Sequence, residues 1–223
     1  MKLFPITIVD NFFDYPDEVL ELAKSVEYTD PDLTNYPGVV STKKLHEIDR
    51  ELFQWSMEKI ISLYWDLKFV SINWDVAMDF MKVEPYPEKD HILNKGVIHF
   101  DSEQVSCAGI VYLNKDPSKD AGTSFYKKKP DRQFYTLTDD YLNSVRQYHA
   151  GIEVPEIENI FQEHYDNFEE TAKVQSYYNR MCLYSPEIWH APTTYGETTR
   201  YTMRFFISFL NCSEQNYPLI RRV

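Results

Sequence analysis

Hydrophobic positions along this chain follow two periods, and the change from one to the other divides it. Behind Pro16, Asp17 and Glu18, the residues Val19, Leu20, Leu22, Ala23 and Val26 fall on one helical face, so a first helix is predicted over 16–27. Leu52, Phe53, Trp55, Met57, Ile60, Ile61, Leu63 and Tyr64 repeat that period on a broader stripe, which predicts a long helix over 47–67 able to cover a sheet. Between them, 29–42 carries Pro31, Asn35, Pro37 and Gly38 and reads as a loop. From residue 69 the period drops to two. Val70, Ile72, Trp74, Val76, Met78 and Phe80 alternate with polar neighbours as far as Pro85-Tyr86-Pro87, a strand over 69–84. Further strands are predicted over 97–101, 105–114, 122–126, 177–184 and 200–210, with a short one at 6–9. Residues 131–175 break the alternation, because Tyr141, Leu142 and Val145 and then Ile157, Ile160 and Phe161 return to helical spacing.

Helices first and strands afterwards describe a mainly β chain with flanking helices. At 223 residues it is long enough for one well-buried domain. The expected organisation is a helical amino-terminal part over 1–68, a β core over 69–130 and 176–211, and a helical insertion over 131–175. An aromatic content of 16% suits this, since flat rings pack well on pleated surfaces.

A formal charge of −12 disfavours a nucleic-acid partner, because an acidic body repels a phosphate backbone. The dense basic run Lys127-Lys128-Lys129 with Arg132 reads as a solvated loop. Cys107, Cys182 and Cys212 form neither a CxxC pair nor an even disulfide framework and read as small buried hydrophobes. No run approaches a membrane span, and the start Met1-Lys2-Leu3-Phe4-Pro5 lacks the apolar stretch of a secretory signal. The expectation is a soluble, cytoplasmic protein in a reducing compartment, with no membrane partner.

The candidate chemistry begins at His99-Phe100-Asp101. On an extended strand His99 and Asp101 project to one side, with Phe100 turned to the core. So short a pattern is common by chance, and alone it fits a structural histidine as well as a ligand. His190, at a strand end in Ile188-Trp189-His190-Ala191-Pro192, supplies a second imidazole. Two imidazoles and one carboxylate are the facial ligand set of non-haem Fe(II), which leaves open positions on the metal. Ten residues later Arg200, Thr202 and Arg204 share one strand face. A guanidinium pairs bidentately with a carboxylate and a hydroxyl adds a further bond, so this face suits a dicarboxylate. His46, His91, His149 and His164 have no carboxylate at ligand spacing and are expected to be solvated, while Trp189 points away from His190 into the core.

These residues resemble the 2-oxoglutarate and Fe(II)-dependent dioxygenases. The likeness rests on His99-x-Asp101, the distal His190 and Arg200-x-Thr202, which is similar to the family's arginine-x-serine motif. Ile110-Val111-Tyr112-Leu113-Asn114 followed by Gly122-Thr123-Ser124-Phe125 resembles a strand pair of prolyl-hydroxylase-like and phytanoyl-hydroxylase-like members, and Ile8-Val9-Asp10-Asn11-Phe12-Phe13 resembles their usual entry. The resemblance implies a double-stranded β-helix, a cupin-like jelly roll with the metal at one open end. It implies Fe(II) on His99, Asp101 and His190, with 2-oxoglutarate and O2 as cosubstrates. The distal carboxylate of 2-oxoglutarate is expected on Arg200 and Thr202, with Arg204 as the alternative cation and Tyr112 and Asn179 as further contacts. Succinate, carbon dioxide and a hydroxylated product would result.

Two other readings fit part of the pattern. A catalytically inactive jelly-roll protein would keep the triad for metal or ligand binding. A zinc hydrolase or isomerase would use the triad but needs a general base that the sequence does not offer, and it leaves Arg200-x-Thr202 without a task. Expected substrates are a peptide or protein side chain or a free amino acid, selected by the insertion over 131–175.

Overall fold

The computed structural model describes residues 6–29, 35–68, 71–88, 91–101 and 104–210. Cys212, and Phe69 and Val70 at the start of the predicted 69–84 strand, lie outside them.

In chain order the strands are β1 (Thr7–Val9), β2 (Gly38–Val40), β3 (Asn73–Val83), β4 (Cys107–Tyr112), β5 (Gly122–Lys128), β6 (Phe168–Gln175), β7 (Arg180–Tyr184), β8 (Trp189–Pro192) and β9 (Arg200–Leu210). The α-helices are α1 (Pro16–Ser25), α2 (Leu45–Ile48), α3 (Arg50–Ser62), α4 (Asp139–His149) and α5 (Ile157–Tyr165). The strands form an antiparallel six-stranded sheet in the order β1-β7-β4-β9-β3-β2 and a three-stranded sheet in the order β6-β5-β8. This is the expected mainly β architecture with flanking helices, two sheets rolled over each other as a jelly roll without closing into a barrel.

Alternation along the central strands decides what lies on each face of the large sheet. Met203, Phe205, Ile207 and Phe209 of β9 join Cys107 and Val111 of β4, Met181 and Leu183 of β7 and Met78 and Phe80 of β3 against α1, α2 and α3. The intervening positions, Arg200, Thr202, Arg204, Ile110, Tyr112, Tyr184, Asp79 and Met81, therefore face the small sheet. That interior is where the chemistry collects. Gly109 sits on the helix side because a Cβ there would meet the Phe205 ring at 2.4 Å and the Cys182 carbonyl at 2.6 Å.

Four element readings are corrected. The 47–67 helix is two helices, because Asp49 adopts an extended conformation and its carboxylate accepts from Leu52 N at 2.9 Å, starting α3 afresh. The 29–42 loop contains β2, an edge strand whose Gly38 lets the backbone approach β3: a Cβ would lie 2.5 Å from the Lys82 carbonyl. The helical insertion over 131–175 holds α4 and α5 but ends in β6, which pairs along β5 and belongs to the small sheet. The predicted 97–101 strand is a single antiparallel bridge, His99 to His190. Of the basic run, Lys129 and Arg132 lie outside the strands. Lys127 and Lys128 belong to β5, where Lys127 pairs with Glu169 at 3.2 Å and Lys128 Nζ lies 5.2 Å from the Trp189 ring centre.

Cys107 and Cys182 are free and buried. Among the described residues no helix is long and apolar enough to cross a membrane.

Candidate metal centre

The bridge between residues 99 and 190 brings the two halves of the sequence motif together. His99 N donates to the His190 carbonyl at 3.0 Å and His190 N to the His99 carbonyl at 2.8 Å, so the imidazoles leave neighbouring backbones on the same side. Their ring centres are 4.5 Å apart. Each Nδ1 is committed to the carbonyl two residues earlier, Val97 at 2.8 Å for His99 and Ile188 at 2.7 Å for His190. A carbonyl only accepts, so Nδ1 carries the proton and each Nε2 keeps a lone pair. Both lone pairs face Asp101, with His99 Nε2 to Oδ1 at 3.7 Å and His190 Nε2 to Oδ2 at 3.6 Å.

These spacings fit a metal ion. One ligand atom from each residue can be chosen so that all lie within 4.8 Å of one another. Two ligands at right angles, each about 2.1 Å from an ion, lie about 3 Å apart, so a small contraction would close the set. Burial pushes the His190 pKa down to about 3, reinforced by the neighbouring His99. The ring is therefore neutral and able to ligate at physiological pH. Burial raises the Asp101 carboxyl, opposed by His99 and Arg204.

A cavity of about 180 Å³ between the sheets runs from this triad to Arg200. Arg200 is 6% exposed and Thr202 1%. The Arg200 guanidinium lies 5.4 Å from the centre of the Tyr112 ring, whose hydroxyl bonds Thr123 Oγ1 at 2.7 Å. Among the described residues, the buried side-chain polar atoms with no partner are Asp101 Oδ2, Arg200 Nε and Nη1, Thr202 Oγ1 and the Tyr141 hydroxyl. Unsatisfied buried polar atoms are rare and costly, so their concentration on Asp101, Arg200 and Thr202 marks groups waiting for a ligand.

The other predicted residues fall elsewhere. Arg204 lines the same cavity but holds Asp79, with Nε to Oδ1 at 2.6 Å. Asn179 is not a cosubstrate contact: it takes a left-handed φ of 61°, and its amide bonds both Phe13 N and Phe13 O at 2.8 Å. Phe100 does not enter the core; it is 44% exposed and packs edge-on against Trp189, itself half-buried rather than core.

Of the four histidines expected to be solvated, only His46 is exposed. His91 bonds the Tyr148 hydroxyl and His149 the Tyr86 hydroxyl, and burial lowers His149 to about 4. His164, 2% exposed, is the residue that sequence reasoning missed. Its Nε2 donates to the Ile98 carbonyl at 2.9 Å, its Nδ1 accepts from the Tyr135 hydroxyl at 2.7 Å, and the next residue, Tyr165, donates to the Gly96 carbonyl. Helix α5 thus pins the segment that carries His99 and Asp101. The signal was a histidine-tyrosine pair beside the apolar stripe of α5, and it gains meaning only from a partner 66 residues away.

A family model described as Family of unknown function (DUF6445) matches residues 2–198. The chain belongs to this family. No curated protein matches this DUF6445 chain. Among solved structures, it is similar to a prolyl hydroxylase from Trichoplax adhaerens in complex with a hypoxia inducible factor oxygen degradation domain peptide fragment. The TM-score is 0.55 at 13% identity, covering 91% of this chain and 83% of the other. It is also similar to HygX from Streptomyces hygroscopicus with nickel and 2-oxoglutarate bound, at a TM-score of 0.55 and 9% identity, over 94% of this chain and 84% of the other. These likenesses establish for the DUF6445 chain the jelly-roll fold of 2-oxoglutarate-dependent oxygenases.

Proposed function

We propose that this protein is an Fe(II)- and 2-oxoglutarate-dependent dioxygenase that hydroxylates a C–H bond. The observation that carries the reading is the coincidence, in one cavity, of a His-Asp-His triad with free lone pairs and a buried guanidinium and hydroxyl without partners. A metal-only protein explains the triad but leaves Arg200 and Thr202 unsatisfied.

His99, Asp101 and His190 would hold the iron, which when bound supplies dioxygen activation coupled to decarboxylation of 2-oxoglutarate. One oxygen atom enters the substrate C–H bond and the other the new succinate carboxylate, and carbon dioxide leaves. The two-electron oxidations of substrate and of 2-oxoglutarate together match the reduction of O2.

The protein contributes position and dryness. Arg200 Nε and Nη1 would clamp the distal carboxylate of 2-oxoglutarate, and Thr202 Oγ1 would donate a further bond. Tyr112 backs the guanidinium with its ring and, with Thr123, would present its hydroxyl to the same group. The Val97 and Ile188 carbonyls hold both imidazoles in the ligating tautomer. Apolar walls from Ile110, Phe206 and Tyr184 exclude water. A cytoplasmic, reducing setting fits a site that needs Fe(II) and a core holding two free thiols. The compared prolyl hydroxylase carries a peptide, in keeping with a peptide side chain as substrate here, with a free amino acid as the alternative.

The test is an anaerobic titration of protein and Fe(II) with 2-oxoglutarate. A weak visible charge-transfer band should grow to saturation, Arg200→Gln should need far more 2-oxoglutarate, and His99→Ala should show no band. Absence of both band and affinity in the wild-type protein would overturn the proposal.

A further inference from the structure

The cavity holds a second guanidinium, whose counter-ion is shared with a lysine. Arg204 Nε donates to Asp79 Oδ1 at 2.6 Å and Nη2 reaches Oδ2 at 3.4 Å. Lys44 Nζ lies 2.5 Å from the same Oδ2. One carboxylate, 1% exposed, therefore serves two cations, and the cluster keeps one unit of positive charge. Lys44 has a side chain 42% exposed and water to hydrate it, whereas the Arg204 side chain is 24% exposed and lines the cavity. Tyr36 lines the cavity with Arg204, and Asn35 beside it is fixed by Arg146 Nε on α4 at 2.9 Å. Arg204, Tyr36 and Asn35 together make a preorganised polar wall in an otherwise mostly apolar pocket.

Charge counting across the site shows what this wall lacks. This step rests on the proposed function. A divalent ion on two neutral imidazoles and Asp101 carries one net positive charge, Arg200 adds another, and the 2-oxoglutarate dianion cancels both. The surplus at Arg204 remains after iron and cosubstrate are in place. Arg204 and Asp101 line the same cavity. A partly buried cation that has only a share of one carboxylate gains from a further opposite charge.

We infer that Arg204 is the substrate-recognition residue of this cavity and that the substrate presents a carboxylate to it. Tyr36 and Asn35 flank that carboxylate, and the carbons next to it are directed at the iron. About 180 Å³, shared with the cosubstrate, admits a group the size of a free amino acid or small carboxylic acid at the reacting end.

The experiment compares matched acids and amides. Free L-amino acids and their carboxamides are titrated calorimetrically into the full-length protein, both metal-free and loaded anaerobically with Fe(II) and 2-oxoglutarate. The same pairs are then scored for stimulation of succinate release. At least one acid should exceed its amide by more than about tenfold, the scale of a charge-assisted bidentate pair. Arg204→Gln should abolish that preference, Arg204→Lys should keep part of it, and the affinity for 2-oxoglutarate should change less than about threefold in either.

Acids and amides behaving alike on the wild-type protein would overturn the inference, and this comparison requires no variant to fold. So would an Arg204→Gln protein that loses 2-oxoglutarate as severely as Arg200→Gln, because Arg204 would then be a cosubstrate ligand. If the wild-type protein binds no 2-oxoglutarate, the proposed function fails separately. The metal-free titration still decides for or against an Arg204-dependent preference for acids.

Discussion

Replacing His164 by leucine removes a clamp on the metal-ligand segment and a group that titrates against the fold. The imidazole is 2% exposed and bonds the Ile98 carbonyl and the Tyr135 hydroxyl. Leucine leaves the Ile98 carbonyl without its partner, at about 1–3 kcal/mol, while the half-buried Tyr135 can turn toward water. The variant should be about 2 kcal/mol less stable at pH 7.5. Acid erases the difference.

Burial lowers the His164 pKa from 6.5 to about 4, so the unfolded chain takes up this proton first. The stability His164 provides is complete above pH 6.5 and is lost as pH falls toward 4. At pH 5 the loss is about 2 kcal/mol, one and a half pH units at about 1.4 kcal/mol each. The leucine variant has no such proton to take up. Urea unfolding of the metal-free proteins, followed by tryptophan fluorescence at pH 7.5 and 5.0, should show the two curves well separated at the higher pH and nearly coincident at the lower. Equal losses on acidification would refute the claim that His164 is held neutral in the fold. The same variant should bind Fe(II) about tenfold more weakly, because the backbone that aims His99 and Asp101 is no longer pinned.

Further outcomes follow from the same contacts. Arg200→Gln should weaken 2-oxoglutarate binding by roughly 30- to 1000-fold, the equivalent of 2–4 kcal/mol for a lost buried charge pair, with Fe(II) affinity little changed in the anaerobic titration. Asp101→Asn should leave the metal-free protein as stable as wild type or more so by calorimetry. Burial raises this carboxyl, so its ionised form costs stability as pH rises above the unfolded value near 3.9. That variant should lose the Fe(II)-induced rise in Tm, which at about a hundredfold excess over Kd amounts to roughly 5–10 °C in wild type. Gly109→Ala should lower the urea midpoint by about 1–3 kcal/mol of stability, since its methyl meets Phe205 and the Cys182 carbonyl below contact distance.

What the amino-acid order made legible is what depends on local pattern. Alternation placed β3, β4, β7 and β9, and the unlike residues His99, Asp101, His190, Arg200 and Thr202 stood out on strand faces that should otherwise be apolar. The parts that escaped depend on partners distant in sequence. Strand β6 buries little more than Phe168 and Val174, so Phe168–Gln175 shows hardly any alternation and becomes a strand only by pairing with β5. Strand β2 is a short edge whose prolines and glycine signal a loop, and Gly38 is explained only by the Lys82 carbonyl it approaches. His164 was read as solvated and Asn179 as a cosubstrate contact because their bonds to Ile98 and Phe13 span 66 and 166 residues. The segment containing α4 and α5 looked like a device for choosing substrates. Its contacts also make it a buttress for the ligand segment through α5, and a support for the Asn35 wall through Arg146.

The central claim is tested most directly by incubating purified protein with Fe(II), 2-oxoglutarate and O2 and quantifying succinate, in wild type and in His99→Ala and His190→Ala. Wild type should release succinate and carbon dioxide in equal amounts while consuming O2, and both variants should release none above the protein-free control. No succinate from wild type, or undiminished succinate from either histidine variant, would contradict a 2-oxoglutarate oxygenase built on His99, Asp101 and His190.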